Sequence, residues 1–200
     1  MKKLLQITAH LGAFLPLCWL IYALNFNLEQ SFGTDPGKEI IHYLGWVAIC
    51  LFIILFFFRI VDQIFQRNDL LILHRAIGLW ALFWLTLHIV AYFLFELGFD
   101  FSLFIKEVTE RFYLQIGLIS AVLFLLIAIS SIPFIRRKLG DNWFLLHQCS
   151  LIALVLAAVH YYLSLKSYDF YSVFFLASAA VFVLWKMIGR KLLKWLGLAY

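Results

Sequence analysis

A chain of 200 residues that is 65% hydrophobic and 14% charged carries more apolar surface than one small water-soluble globule can hide, so it reads as an integral membrane protein. Its formal charge of +5 follows from membrane topology and calls for no nucleic-acid partner. Cys18, Cys50 and Cys149 lie inside apolar stretches without CxxC spacing. They read as small core residues, not as a disulfide framework or a zinc site.

Six apolar runs are each long enough to span a bilayer as a helix, at about residues 4–24, 40–58, 70–95, 112–134, 143–163 and 170–188. The expected architecture is an all-α bundle of six transmembrane helices forming a single domain over 1–200. Met1-Lys2-Lys3 before the first run resembles a secretory signal, but the run is long and no small-residue cleavage site follows it, so a retained first helix is expected. One set of connections holds Lys2, Lys3, Arg59, Arg67, Arg75, the Arg136-Arg137-Lys138 run and the tail of Lys186, Arg190, Lys191 and Lys194. The alternate set holds Lys38, Lys106, Arg111 and Lys166 among most of the acids. The positive-inside rule then places both termini in the cytoplasm.

The first helix carries His10 near its cytoplasmic end and Pro16 in its interior, where a kink is expected. His10 reads as an interfacial packing residue, with ligation or proton relay as the alternative. Gly33-Thr34-Asp35-Pro36-Gly37 is a turn signal, and His42 follows at the outer edge of helix 2, a phenylalanine-rich wall. Asn68 or Asp69 is placed to cap the third helix.

Helix 3 carries His74 near the cytoplasmic face and His88 fourteen positions on, with Gly78, Trp80, Phe83 and Trp84 between them. Gly78 offers close approach to a flat ring, and Arg75 is placed either to neutralise an anionic group at that membrane surface or simply as a positive-inside arginine. The outer connection that follows is acidic, with Glu96, Asp100, Glu107 and Glu110 around Lys106 and Arg111. Helix 4 has no ionisable residue between Tyr113 and Pro133 and reads as a packing helix. Helix 5 carries His147 and His160, thirteen positions apart. Lys166 beyond it is a second candidate partner for an anionic group, and helix 6 ends in a basic, Trp-containing interfacial anchor.

Both histidine spacings separate partners by about 20 Å along a helix axis, inside a hydrocarbon core of about 30 Å. Helices 3 and 5 are separated by one full hairpin and so run in the same direction. That sets His74 at the depth of His147 and His88 at the depth of His160. Imidazole buried in lipid needs a partner, and an iron porphyrin between facing helices supplies one at each depth. The reading is a membrane cytochrome with bis-histidine haem. One tension stands: at 100° per residue fourteen positions return to within about 40° of one face, whereas thirteen miss it by about 140°, so helix 5 must bend or its rings must turn.

This spacing resembles the ferric reductase-like transmembrane family, the haem core shared by NADPH oxidases and ferric reductases. More narrowly, the chain is similar to the MsrQ (YedZ) family through His10-Leu11 with Leu15-Pro16, Asp35-Pro36 with Lys38 and His42, and Gly78-Leu79-Trp80 with Leu87-His88. Further strings are Arg137-Lys138-Leu139-Gly140 with Trp143 and Leu146-His147, and His160-Tyr161 with Ser164 and Lys166-Ser167. The resemblance implies a b-type cytochrome of the bacterial inner membrane. It implies one or two haems, with His88, His147 and His160 carried over and His74 completing a second pair. It implies relay of electrons outward to MsrP, a periplasmic molybdopterin enzyme that reduces methionine sulfoxide. It also implies a link to FMN, whose residues it does not map, and to the quinone pool or a cytoplasmic flavin reductase as donor. No GxGxxG occurs, so electrons are expected to arrive from another molecule. A ferric or quinone reductase of the same fold stays open. So does a non-redox transporter or assembly factor, against which helices 1, 2, 4 and 6 offer no charged pathway.

Overall fold

The computed structural model describes residues 2–65, 71–165, 167 and 169–195, and every regular element among them is a helix. Among the described residues six helices are long and apolar enough to cross a membrane, over Lys3–Phe26, Pro36–Phe65, Leu73–Phe95, Phe112–Ser130, Asn142–Ser164 and Phe170–Gly189. The chain falls into two compact units, Met1–Lys106 and Glu107–Tyr200. Asn68, Asp69 and Lys166, singled out above, lie outside the described residues.

In the first unit α1 (Lys2–Phe26), α2 (Leu28–Phe32), α3 (Pro36–Phe65) and α4 (Leu71–Phe95) follow in order, with α4 packed against both α1 and α3. Pro16 lies inside α1, where it removes one backbone bond. Two side chains bond the backbone of that stretch: the Tyr43 hydroxyl donates to Pro16 O at 2.9 Å, and the fully buried Trp84 donates its indole N–H to Ala13 O at 3.1 Å. The turn signal resolves into two parts. Gly33, at φ 62°, ends α2, and Pro36 opens α3 at the helix position where its missing N–H costs nothing. α3 also outruns its apolar stretch, because Arg59 and Asp62 interrupt hydrophobicity without breaking a helix. Asp62 therefore belongs to the last turns of α3 and not to the connection.

α5 (Phe101–Glu110) forms in what reads as a connection. Asp100 caps it, accepting from the Ser102 N–H at 2.8 Å, the Ser102 hydroxyl at 2.7 Å and the Leu103 N–H at 3.1 Å.

The second unit holds α6 (Phe112–Ser130), α7 (Pro133–Leu139), α8 (Asn142–Gln148), α9 (Ser150–Ser164) and α10 (Phe170–Trp195), with α9 packed against both α6 and α10. Ser120 ties α6 to α9 through a buried bond to Ala153 O at 2.8 Å. The fourth span stops at Ser130, short of 134, because Pro133 cannot continue it and instead starts α7. The fifth span is split at Cys149, whose N–H reaches back three residues to Leu146 O at 3.0 Å. This is the tight 3₁₀-type turn. Asp169 caps α10 by accepting the Ser172 N–H at 2.7 Å. Large apolar side chains such as Leu4, Leu79, Phe144 and Val181 are exposed, as lipid-facing positions require.

Candidate functional site

In each unit the central helix carries a histidine held by its neighbour. On α4, His88 places Nδ1 2.9 Å from Ile41 O of α3. On α9, His160 places Nδ1 2.8 Å from Tyr113 O of α6, with its ring stacked on the Tyr113 ring at 5.9 Å. The acceptor lies 47 residues upstream in both cases. A backbone carbonyl can only accept, so Nδ1 carries the proton, and in the neutral imidazole the lone pair resides on Nε2. Each ring also lies against a glycine. A Cβ on Gly45 would stand 3.1 Å from Nδ1 and Cε1 of His88, and one on Gly117 would stand 2.6 Å from Nδ1 of His160.

The other two histidines are supported differently. His147, at the end of α8, sets Nδ1 3.2 Å from Trp143 O of its own helix and Nε2 3.3 Å from the Ser131 hydroxyl. Its ring lies 4.0 Å from that of Trp143, over which the Arg136 guanidinium sits at 4.2 Å. His74, on α4, sets Nδ1 3.8 Å from Asp62 Oδ2, the two side chains being 21% and 13% exposed. Neither Asp62 oxygen makes a hydrogen bond among the described residues. Arg75 is exposed beside His74, open to an anionic group at that helix end.

Two further residues are placed by the structure. His10 accepts the Trp80 indole N–H on Nδ1 at 2.9 Å, which commits that lone pair to packing α1 on α4. Gly78 meets only Leu55 Cδ1, at ordinary contact distance.

A group of three or more His, Cys, Asp or Glu able to hold a metal ion is absent among the described residues, so nothing there resembles a zinc-type cage. A haem iron needs a different donor set: a neutral imidazole with one nitrogen pinned as a donor and the other presenting its lone pair. His88 and His160 have that chemistry, so those residues fit the group, whereas His147 holds Nδ1 against its own helix and has Nε2 on the Ser131 hydroxyl. Gly45 and Gly117 were invisible to a reading centred on ionisable residues, yet each precedes its histidine by the same interval, a signal the sequence does carry.

A family model described as ferric reductase like transmembrane component matches residues 44–158, a stretch that includes His74, His88 and His147 and stops just before His160. Several bacterial proteins named "Protein-methionine-sulfoxide reductase heme-binding subunit MsrQ" are similar over most of their length. The one from Pasteurella multocida is 41% identical over 88% of this chain and 85% of its own. Those from Cronobacter sakazakii and Pectobacterium carotovorum are 35% and 34% identical, each over 96% of this chain and 94% of its own.

Proposed function

The chain belongs to the ferric reductase-like transmembrane family, and within it to the MsrQ family, and from that premise we propose that it is a b-type cytochrome subunit carrying electrons across the bacterial inner membrane. His88 with His160, and His74 with His147, bind haem iron as two bis-histidine pairs. The pairing rests on the count of spans: one intervening crossing gives the third and fifth spans the same sense, so partners meet at matching depths. The basic connections face the cytoplasm, which puts the His74/His147 pair on the inner side and the His88/His160 pair on the outer side.

Bound haem supplies a one-electron Fe(III)/Fe(II) couple inside an insulating layer. The chain's own residues hold that couple in place. Backbone carbonyls fix Nδ1–H of His88 and His160, which orients each ring and makes Nε2 a stronger donor. Apolar side chains exclude water, and exposed Arg75 offers a countercharge to a propionate near the inner surface. The electron acceptor is a periplasmic molybdopterin methionine sulfoxide reductase of the MsrP type, bound as a heterodimer. Electrons come from membrane quinol or from a cytoplasmic flavin reductase, and an FMN link follows from family membership alone. The chain is the electron-transfer subunit, and the partner performs the sulfoxide chemistry.

The observation that carries this reading is the identical Nδ1–H to carbonyl support of two histidines in two separate hairpins. The test is spectroscopic. Purified protein expressed with adequate haem should show a Soret band and two haem equivalents by pyridine haemochrome. Once reduced, it should reoxidise on addition of MsrP and methionine sulfoxide. A colourless protein would refute the cytochrome reading. A reduced haem that ignores MsrP but reoxidises with ferric chelates would replace the relay with a ferric reductase.

A further inference from the structure

We propose that Gly45 and Gly117 are positioning residues, each baring a helix carbonyl on which a histidine docks its Nδ1–H, so that His88 and His160 are gripped by two copies of one device. The proposal rests on the reading that these histidines ligate one haem. It goes further by assigning the residues that set the ligands' tautomer, angle and basicity.

The argument starts from helix geometry. A carbonyl inside an α-helix already accepts the N–H of the residue four positions on, and its second lone pair points outward past that residue's side chain. In α3 the residue four positions after Ile41 is Gly45; in α6 the residue four positions after Tyr113 is Gly117. Without a Cβ at that position, an imidazole from the neighbouring helix can lie over the backbone and reach the carbonyl, at 2.9 Å for His88 and 2.8 Å for His160. An added Cβ would meet the His88 ring at 3.1 Å, and the His160 ring at 2.6 Å from Nδ1 and 2.7 Å from Cε1. Ordinary carbon contacts lie at about 3.5–4.0 Å. The ring has no free way out, because its nitrogen is tied to the carbonyl beneath.

Glycine in a helix interior works against the helix, so its presence at both positions calls for a reason. The other helical glycines do not share this one. Gly12 has nothing within 4 Å of an added Cβ, Gly78 meets only a leucine methyl, and Gly37 and Gly189 lie against Phe95 and Trp185, at 3.2 and 2.9 Å, with no histidine docked there. The chemical consequence follows from the hydrogen bond. Donation from Nδ1–H to a carbonyl makes the imidazole richer in electrons, which favours ferric over ferrous iron and lowers the reduction potential. Pushing the ring off its carbonyl reverses that and turns the ring plane.

The experiment uses the full chain in detergent. Gly45→Ala, Gly117→Ala, the double variant and Gly12→Ala are compared by pyridine haemochrome, potentiometric titration and low-spin ferric EPR. The redox step belonging to His88 and His160 is identified as the one lost in His160→Ala. That step should move to higher potential with altered g-values in both glycine variants. The shift should be larger in Gly117→Ala than in Gly45→Ala, in the order of the 2.6 and 3.1 Å contacts, and largest in the double variant. The other step should stay put, and Gly12→Ala should overlay the wild type. Loss of one haem from Gly117→Ala with the other retained is the same outcome carried further.

Unchanged potential and g-values in Gly117→Ala would overturn the proposal. So would equal displacement of both steps, or loss of both haems from either variant. If Gly117→Ala does not fold, Gly45→Ala decides, since its smaller intrusion asks the ring to give by only a few tenths of an ångström; an unchanged spectrum there overturns the proposal. A wild-type protein without haem would instead refute the reading beneath it.

Discussion

The two proposed histidine pairs stand on different kinds of support. His88 and His160 each lean on a backbone carbonyl of another helix, an acceptor that does not titrate and that side-chain substitution cannot remove. His74 and His147 lean on groups nearby in sequence: the Asp62 carboxylate at 3.8 Å, the Trp143 carbonyl and the Ser131 hydroxyl. A support made of backbone fixes a ligand once the helices pack. Trp143 O is backbone too, within the helix of His147, whereas Asp62 beside His74 and Ser131 beside His147 are side chains and leave the ligand adjustable by substitution. On the proposed orientation the fixed pair faces the acceptor side and the adjustable pair faces the donor side.

The largest effects should come from the ligands themselves. His88→Ala or His160→Ala is expected to remove one haem equivalent and abolish reoxidation by the acceptor, leaving the haem of His74 and His147 in place. His74→Ala or His147→Ala should give the complementary loss. Difference spectra of purified variants check this, and a variant losing both haems or neither would break the comparison.

Next in size is Asp62→Asn. Removing a buried carboxylate beside His74 takes away negative charge that favours ferric iron, so the potential of that haem should rise while the other stays fixed. A potentiometric titration resolves the two steps, and movement of the His88/His160 step would contradict the division.

Smaller still are the packing bonds that hold each central helix. Trp84→Phe removes the indole bond to Ala13 O, and Ser120→Ala removes the hydroxyl bond to Ala153 O. Each should cost about 1 kcal/mol, read as a lower thermal midpoint with both haem spectra unchanged.

The smallest effect belongs to Asp100, which touches neither pair. The Ser102 hydroxyl, then the Leu103 and Ser102 amides, hold its carboxyl below the ordinary value of 3.8. A depressed folded value means its contribution to α5 is complete above the unfolded pKa of 3.8 and fades as pH falls through the folded value below it. Asp100→Ala should therefore lower α5 protection in hydrogen exchange at neutral pH and make no difference well below pH 3.8. Equal protection at neutral pH would show that the cap does nothing.

Much of this was legible in the sequence, and for identifiable reasons. Membrane spans declare themselves through length and hydropathy, so all six appear where the apolar runs lie. Histidines inside such runs are rare enough to mark the site. The interval of thirteen between His147 and His160 asks for a bend in the fifth span or a turn of its rings, and the structure has a tight turn at Cys149. What stayed hidden depends on main-chain groups or on distant partners. The carbonyls of Ile41 and Tyr113 have no letter of their own. Asp62 sat among charged residues that resembled a connection, although a helix can carry them once it leaves the hydrocarbon layer. His10 paired with Trp80 across a distance no local pattern encodes. Gly45 and Gly117 were present but silent, since glycine is read by what it lacks.

Haem counting in double variants tests the central claim most directly. If His88 and His160 share one iron while His74 and His147 share another, His88→Ala/His160→Ala should retain one haem equivalent by pyridine haemochrome, and His88→Ala/His147→Ala should retain none. Equal haem content in the two double variants would contradict the account.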